Sequence, residues 1–323
     1  MLAIGLQGSP RKKGNTRFLL SAFMKEADKR GALTKIIEVA EKNISPCRGC
    51  GLCEKNGFCI IKDDDMNKEI YQLMWEADLV VAATPIFFYS ATAQLKALID
   101  RSQALWSRKY KFKLSDPGRR TRSGFLLAVG ATKGQNLFNG LHLTAKYFFD
   151  ALGANYDGSL TYRHIENKGD MERHPTVISD VKKEAEKVIR PLTARKKIVF
   201  MCRENACRSQ MASAFARHLG GNKIEAVGCG SDPVETINPV MVEVMRNKGI
   251  DMAYRKPISI KDALEKIQPE MIIGMGCGDD CSFIQNVERK DWNLPDPSGR
   301  SKVFMENICN DIERRVNELI KTL

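Results

Sequence analysis

Ala3-Ile4-Gly5-Leu6, followed by Gly8-Ser9-Pro10-Arg11-Lys12-Lys13-Gly14-Asn15-Thr16, decides the fold of the first half of the chain. The apolar run reads as a buried strand, and residues 16–30 carry a helical period. A loop joining strand to helix in an open parallel sheet lies at the carboxyl end of the strand, where such sheets bind their ligands. It presents backbone N–H groups and the positive end of the helix dipole. Ser9, Asn15 and Thr16 add short donors, and the glycines let the backbone close around a phosphate. The loop is neither a GxGxxG fingerprint nor a Walker loop, since no Gly-Lys-Ser/Thr follows. By itself it reads equally well as a tight turn with a Ser/Asn/Thr helix cap.

The rhythm continues outward from this loop. Strands are expected over 35–39, 78–83, 124–129 and, more weakly, 159–163. Helices are expected over 69–75, 92–104, 137–152 and 177–188. Strand alternating with helix implies a parallel sheet covered on both faces. The polar, proline-containing stretch 190–197 then reads as a linker, and the rhythm restarts at Ile198-Val199-Phe200-Met201. Further strands are expected at 224–227 and 271–275, with helices at 209–219, 239–248 and 303–323. The expected fold class is α/β, two tandem three-layer domains with parallel central sheets, divided as 1–193 and 195–323.

A chain of 323 residues with 43% hydrophobic content has enough apolar material for two cores. No apolar run approaches the roughly 20 residues of a membrane span, and the start lacks a signal-peptide pattern. The expectation is a cytoplasmic protein without membrane contact. The net charge of +12, with basic clusters at 108–113 and 119–122, is read as a solvated surface. Interleaved aromatics and recognition motifs are missing, so no nucleic-acid partner is expected. Four of the ten cysteines fall within 47–59, two within 202–207 and two within 277–281. That clustering points to metal or redox chemistry rather than a disulfide framework.

A second stretch, Thr84-Pro85-Ile86-Phe87-Phe88-Tyr89-Ser90-Ala91-Thr92-Ala93-Gln94-Leu95-Lys96-Ala97-Leu98-Ile99-Asp100-Arg101, follows the third strand. With the first loop it resembles the NADPH-dependent FMN reductase and iron–sulfur flavoprotein branch of the flavodoxin-like family, over roughly residues 1–190. The resemblance implies an FMN phosphate held by Ser9, Arg11, Asn15 and Thr16. It implies an isoalloxazine ring lined by Pro85, Ile86, Phe87, Phe88 and Tyr89, with NAD(P)H as electron donor and a homodimer as the assembly. The loop 130–134 would flank the same ring.

Cys47, Cys50, Cys53 and Cys59 stand between the second strand and the next helix. Four thiolates so close can coordinate a [4Fe–4S] cluster, and the spacing resembles the compact motif of iron–sulfur flavoproteins. Tetrahedral zinc and a metal-free cysteine cap over the flavin are the alternatives. The stretch Lys62-Asp63-Asp64-Asp65 reads as a helix-initiating acidic cap.

The second half opens with Cys202-Arg203-Glu204-Asn205-Ala206-Cys207-Arg208-Ser209 at a strand–helix junction. Five residues between Cys and Arg wrap a ring of backbone N–H groups around a tetrahedral oxyanion, with Asn205 and Cys207 in that ring. Arg208 adds a planar two-pronged clamp. Cys202 is placed as the nucleophile, with N–H groups and the helix dipole favouring an anionic sulfur. Ser209 can donate to it. Asp296, in Leu294-Pro295-Asp296-Pro297, is the candidate general acid.

These two motifs resemble low-molecular-weight tyrosine phosphatases and thioredoxin-coupled arsenate reductases, which share a scaffold. Cys277 and Cys281 resemble the resolving-cysteine segment of the reductases, and Cys207 also matches them. The Ser298-Gly299 pair stands where phosphatases carry aromatics for a phosphotyrosine ring. The resemblance implies arsenate reduced to arsenite through a thiol relay, with arsenate or phosphate bound in the loop and thioredoxin as a partner. Electron transfer from FMN to the relay disulfide is a further expectation. A phosphatase fused to a flavin reductase, and a redox or oxyanion sensor, are the rival readings.

Overall fold

The computed structural model describes residues 1–276 and 287–323. Two compact units result. The first comprises Met1–Lys113 and Thr121–Thr193, the second Leu114–Arg120 and Ala194–Leu323. The short segment belongs with the second unit, where the Ser115 N–H donates to the Gly249 carbonyl (2.7 Å) and the Ser115 carbonyl accepts from Asp251 N–H (2.8 Å).

The first unit runs β1 (Leu2–Gln7), α1 (Asn15–Lys29), β2 (Leu33–Glu38), α2 (Leu52–Asn56), α3 (Tyr71–Glu76), β3 (Leu79–Pro85), α4 (Ala93–Arg101), α5 (Gln103–Tyr110), β4 (Ser123–Val129), α6 (Asn139–Ala151), β5 (Asn155–Tyr162) and α7 (Val177–Thr193). All five strands are parallel, in the order β2-β1-β3-β4-β5. The central strands β1, β3 and β4 are continuous apolar runs because helices cover both faces. Leu19, Leu20 and Phe23 of α1 share one core with Val181, Ala185 and Ile189 of α7, over Ala3, Leu79, Val81 and Phe125.

The second unit continues with β6 (Lys196–Cys202), α8 (Arg208–Gly220), β7 (Ile224–Gly230), α9 (Pro239–Asn247), α10 (Ile260–Lys266), β8 (Met271–Gly274), β9 (Glu288–Asp291) and α11 (Lys302–Lys321). Its strands are parallel in the order β7-β6-β8-β9. Alternate residues of β6 serve opposite cores. Ile198, Phe200 and Cys202 pack with α8, α9 and α11, while Val199 and Met201 pack with Ala263 of α10.

Several local expectations change. The stretch from 190 is not a linker, because α7 runs through Pro191 to Thr193. The apolar stripe Val181, Ala185, Val188, Ile189 and Leu192 continues past the proline, and that burial offsets the lost helical hydrogen bond. The expected helix 92–104 divides at Ser102 into α4 and α5. β9 and α10 were not expected. β9 is the exposed tetrapeptide Glu-Arg-Lys-Asp, an edge strand that carries charges and no apolar alternation. The basic clusters are not uniformly solvated. Arg122 is fully buried, with its guanidinium on the carbonyls of Trp75, Ala77 and Leu152. Arg108 is buried against the Phe58 ring and donates to the Gly57 carbonyl. Among the described residues no helix is long and apolar enough to cross a membrane.

Candidate active site and cofactor loops

β1 ends at Gln7, and Gly8 turns the chain at the sheet's carboxyl edge. The Gly8 N–H donates to the Ala83 carbonyl (2.8 Å), and its carbonyl accepts from Thr92 Oγ1 (2.5 Å). A Cβ at Gly8 would meet Leu95 Cβ at 2.8 Å and the Ala83 oxygen at 2.9 Å, so only glycine fits. Ser9 is buried and its hydroxyl accepts from Arg11 N–H (3.2 Å). Thr16 is buried in the first turn of α1, and Arg11 is exposed. The N-cap of α1 is Gly14, which makes no side-chain cap bond. The helix-cap reading of this loop is thereby set aside.

The Asn15 side chain has other work. It donates to the Asn167 carbonyl (2.8 Å) and accepts from Met171 N–H (3.2 Å), tying the segment after β5 to the start of α1. Gln7 is wholly buried at the end of β1, and both its amide atoms lack a protein partner. A buried amide without partners is costly. An uncapped helix N-terminus and an orphaned amide at one strand end fit a phosphorylated cofactor.

The loop after β3 is a tight turn. Phe87 and Ser90 exchange both backbone hydrogen bonds (3.0 Å each), and Phe88 and Tyr89 between them have φ of 48° and 61°. Positive φ at both central residues is a geometry that favours Asn-Gly. Two aromatics there carry strain of the kind found at functional sites. Phe88 is 100% exposed and Tyr89 53%. The Tyr89 carbonyl and hydroxyl lie against Gly140 and Gly134, where a Cβ would come within 3.0 and 2.9 Å.

The cysteine loop is anchored by a pair that sequence reading missed. Arg101, at the end of α4, forms a buried ion pair with Asp64 and donates to the carbonyls of Ser45 (2.9 Å) and Ile61 (3.2 Å). It therefore holds both ends of the loop that carries Cys47, Cys50, Cys53 and Cys59. Burial pushes the Asp64 carboxyl up, but Arg101 outweighs it and the net direction is down. Asp64 also accepts from Asn67 N–H (3.2 Å), so it caps the following turn as expected and has a second role besides. Cys47 and Cys50 are exposed, Cys53 and Cys59 half-buried. Burial pushes the Cys53 thiol up, opposed by the Ser107 hydroxyl at 3.6 Å. Among the described residues no group of three or more His, Cys, Asp or Glu side chains stands in a metal-holding arrangement.

In the second unit β6 delivers Cys202 to the loop, and α8 begins at Arg208. The carbonyls of Cys202, Arg203, Glu204 and Ala206 accept from Ser231, Asp232, Val234 and Asn238, outside the loop. The two ends of a trans peptide point opposite ways, so the N–H groups of Arg203, Glu204, Asn205 and Cys207 face inward. β7 must run close beneath. A Cβ at Gly230 would lie 2.3 Å from the Arg203 oxygen, and one at Gly228 2.5 Å from the Ser209 oxygen. These glycines were missed, although glycine inside a strand signals close backbone approach.

Cys202 Sγ is 3.0 Å from Ser209 Oγ, and both residues are buried. Arg208 donates to Asp296 Oδ2 (2.9 Å) and to the Leu294 carbonyl (2.9 Å), so the candidate clamp and the candidate acid meet. Gly276, with φ of 79°, lies against Arg208, whose Nη1 would be 3.0 Å from a Cβ at that position. The Asn205 side chain turns away from the anion position to bond Ser209 (2.6 Å), so its backbone N–H is what the ring receives. Cys207 sits in the core, its thiol pushed up to about 12 by burial and then by Asp296. Cys277 and Cys281 lie outside the described residues.

Comparison with known proteins places both halves. Residues 1–150 match the family model of NADPH-dependent FMN reductases, and residues 197–276 that of low molecular weight phosphotyrosine protein phosphatases. An iron-sulfur flavoprotein of Methanocaldococcus jannaschii is 38% identical over 41% of this chain and 64% of its own length. The chain thus spans just under two thirds of that relative. A glutaredoxin arsenate reductase of Synechocystis is 32% identical over 39% of this chain and 96% of its own length. A putative arsenate reductase of Halobacterium salinarum is 34% identical over 38% and 89%. Through its second unit the chain belongs to the arsenate reductases of the low molecular weight phosphatase scaffold, and its first unit is similar to the NADPH-dependent FMN reductases and iron-sulfur flavoproteins.

Proposed function

We propose that this protein is a two-domain oxidoreductase that binds FMN in its first unit and reduces arsenate to arsenite in its second. The observation that carries the second activity is Cys202 Sγ at 3.0 Å from Ser209 Oγ, inside a loop closed by the Arg208–Asp296 pair.

The inward N–H groups and Arg208 bind the oxyanion and stabilise its charge. Cys202 sulfur attacks arsenic. Asp296 gives its proton to the departing oxygen, which leaves as water. Cys277 sulfur then attacks Cys202 sulfur, and the pair of the breaking sulfur–arsenic bond stays on arsenic, releasing arsenite. Cys281 attacks Cys277, which frees Cys202 and leaves a Cys277–Cys281 disulfide. One turnover consumes two thiols and gives arsenic two electrons.

Ser9, Arg11, Thr16 and the start of α1 would hold the FMN phosphate, with Asn15 acting through the segment it pins. Pro85, Ile86, Phe87, Phe88 and Tyr89 would line the ring. When bound, FMN accepts hydride from NAD(P)H. Two redox units in one chain are the ground for assigning the first as electron source for the disulfide, with thioredoxin as the external alternative. The exposed turn at Phe88 suits coverage by a second copy of the chain. The four thiols of the Cys47 loop have the ligand number of a [4Fe–4S] site, but their described arrangement does not gather them, and no step is assigned there.

The experiment compares substrates. Purified protein should carry one FMN per chain and, with a dithiol reductant, turn over arsenate while hydrolysing an aryl phosphate at least about a hundredfold more slowly (a gap of roughly 2.7 kcal/mol). Rapid aryl-phosphate hydrolysis without reductant, and no arsenite, would establish the phosphatase instead.

A further inference from the structure

Five polar side chains of the second unit form an unbroken line that ends on the nucleophile. Arg255 Nε donates to Gln210 Oε1 (2.9 Å). Gln210 Nε2 donates to Asn205 Oδ1 (3.0 Å). Asn205 Nδ2 donates to Ser209 Oγ (2.6 Å), and Ser209 Oγ lies 3.0 Å from Cys202 Sγ. Asn205, Ser209 and Gln210 are all buried. Arg255 is partly exposed, so the line runs from a surface cation to a buried sulfur.

The direction of this line is fixed by chemistry. A guanidinium only donates, so the Gln210 atom facing it is the oxygen and the other end is the donating nitrogen. That nitrogen also donates to the Lys256 carbonyl (3.2 Å). The Asn205 oxygen accepts from Gln210 and from Ile258 N–H (2.9 Å), which leaves its nitrogen for Ser209. Ser209 Oγ, already accepting, has its hydrogen left for sulfur. The second arm of Arg255 is held by Ser213 Oγ (2.8 Å), whose own hydrogen goes to the Gln210 carbonyl (3.2 Å). Every dipole therefore aligns with its donor end toward Cys202, and a cation stands at the far end. Aligned hydrogen bonds in a low-dielectric interior strengthen one another.

We infer that Arg255 is a positioning residue for Cys202: it holds Gln210 and Asn205 in the orientation that presents the Ser209 hydroxyl hydrogen to the sulfur. The inference rests on the reading of Cys202 as the nucleophile. The thiols of Cys207 and Cys229 interact with Cys202, and Asp296, Glu204 and Arg208 act on the Cys207 thiol beside it. Burial pushes both those thiols up to about 12, so they stay neutral at pH 7.

The test alkylates the full chain with iodoacetamide across a pH series and quantifies modification of the tryptic peptide 198–203, which separates Cys202 from Cys207. Arg255→Met should slow alkylation of Cys202 at pH 7 about tenfold, one unit's displacement of the pH profile. Arg255→Lys should recover most of the rate, and Gln210→Leu combined with Arg255→Met should add little, since both cut one line. Should Arg255→Met fail to fold by circular dichroism, Gln210→Leu alone reads the same line from its middle. A wild-type rate and profile in the folded variant would overturn the inference. So would a slower rate with an unmoved profile, which would mean altered access only. If Cys202 of the unaltered protein does not react at all, the failure belongs to the reading of the nucleophile.

Discussion

Cys202→Ser lowers arsenate reduction by about 10⁴-fold or more, the scale on which loss of a covalent nucleophile is felt. Serine at this position keeps the loop geometry, because the N–H ring is set by carbonyls bonded to residues 231–238. It lacks the nucleophilic sulfur, and a Cys277 thiol attacking its oxygen yields no disulfide. The electron pair then cannot pass to arsenic. Phosphate binding, carried by backbone N–H groups and Arg208, should persist. An activity assay paired with phosphate competition checks both halves. Arsenite formation at a tenth of the normal rate would move the nucleophile elsewhere.

Asp64→Ala should cost about 3–5 kcal/mol, the penalty for leaving one buried charge without its partner. The side chains of Arg101 and Asp64 are 0% and 2% exposed. For a unit of this size that lowers the melting temperature by about 10 °C. Because Arg101 holds the carbonyls of Ser45 and Ile61, the cysteine loop should loosen with it, and a protease should cut within 45–61 first. The pH dependence follows from the sign of the Asp64 shift. A carboxyl held below its unfolded value stabilises the fold above that value, about pH 4, and loses the contribution as the pH falls through its lowered one. Thermal melts between about pH 2 and 7 should show a shallower slope in Asp64→Ala than in the wild type, the remainder coming from other lowered carboxyls such as Glu26 and Glu69. The double variant Asp64→Leu with Arg101→Met should regain part of the loss, since an apolar pair needs no partner.

What the sequence makes legible follows from distance along the chain. Cys202, Arg208 and Ser209 are readable because one loop of fixed length brings them together. Asp296 is readable only beside them, and the parallel sheets follow from apolar runs separated by helical periods. Arg101 and Asp64 stand 37 residues apart, and no local pattern marks a buried ion pair. Arg255 lies 45 residues from Gln210 and reads as one more surface cation. Arg122 belongs to a basic cluster yet is buried on three carbonyls, which composition alone does not reveal. Pro191 argues for a break, but the stripe of Val188, Ile189 and Leu192 keeps the helix on the core. Leu114–Arg120 joins the second unit through backbone bonds at Ser115, and backbone bonds leave no trace in side-chain pattern.

A single anaerobic turnover tests the central claim most directly. Protein with its thiols reduced and its FMN oxidised, mixed with excess arsenate and no reductant, is quenched, and arsenite, free thiols and disulfide-linked peptides are measured together. The account predicts one arsenite per chain, two thiols lost and a Cys277–Cys281 link, with none of the three in Cys202→Ser. Arsenite released with no loss of thiols, or a full thiol count with no arsenite formed, would contradict it.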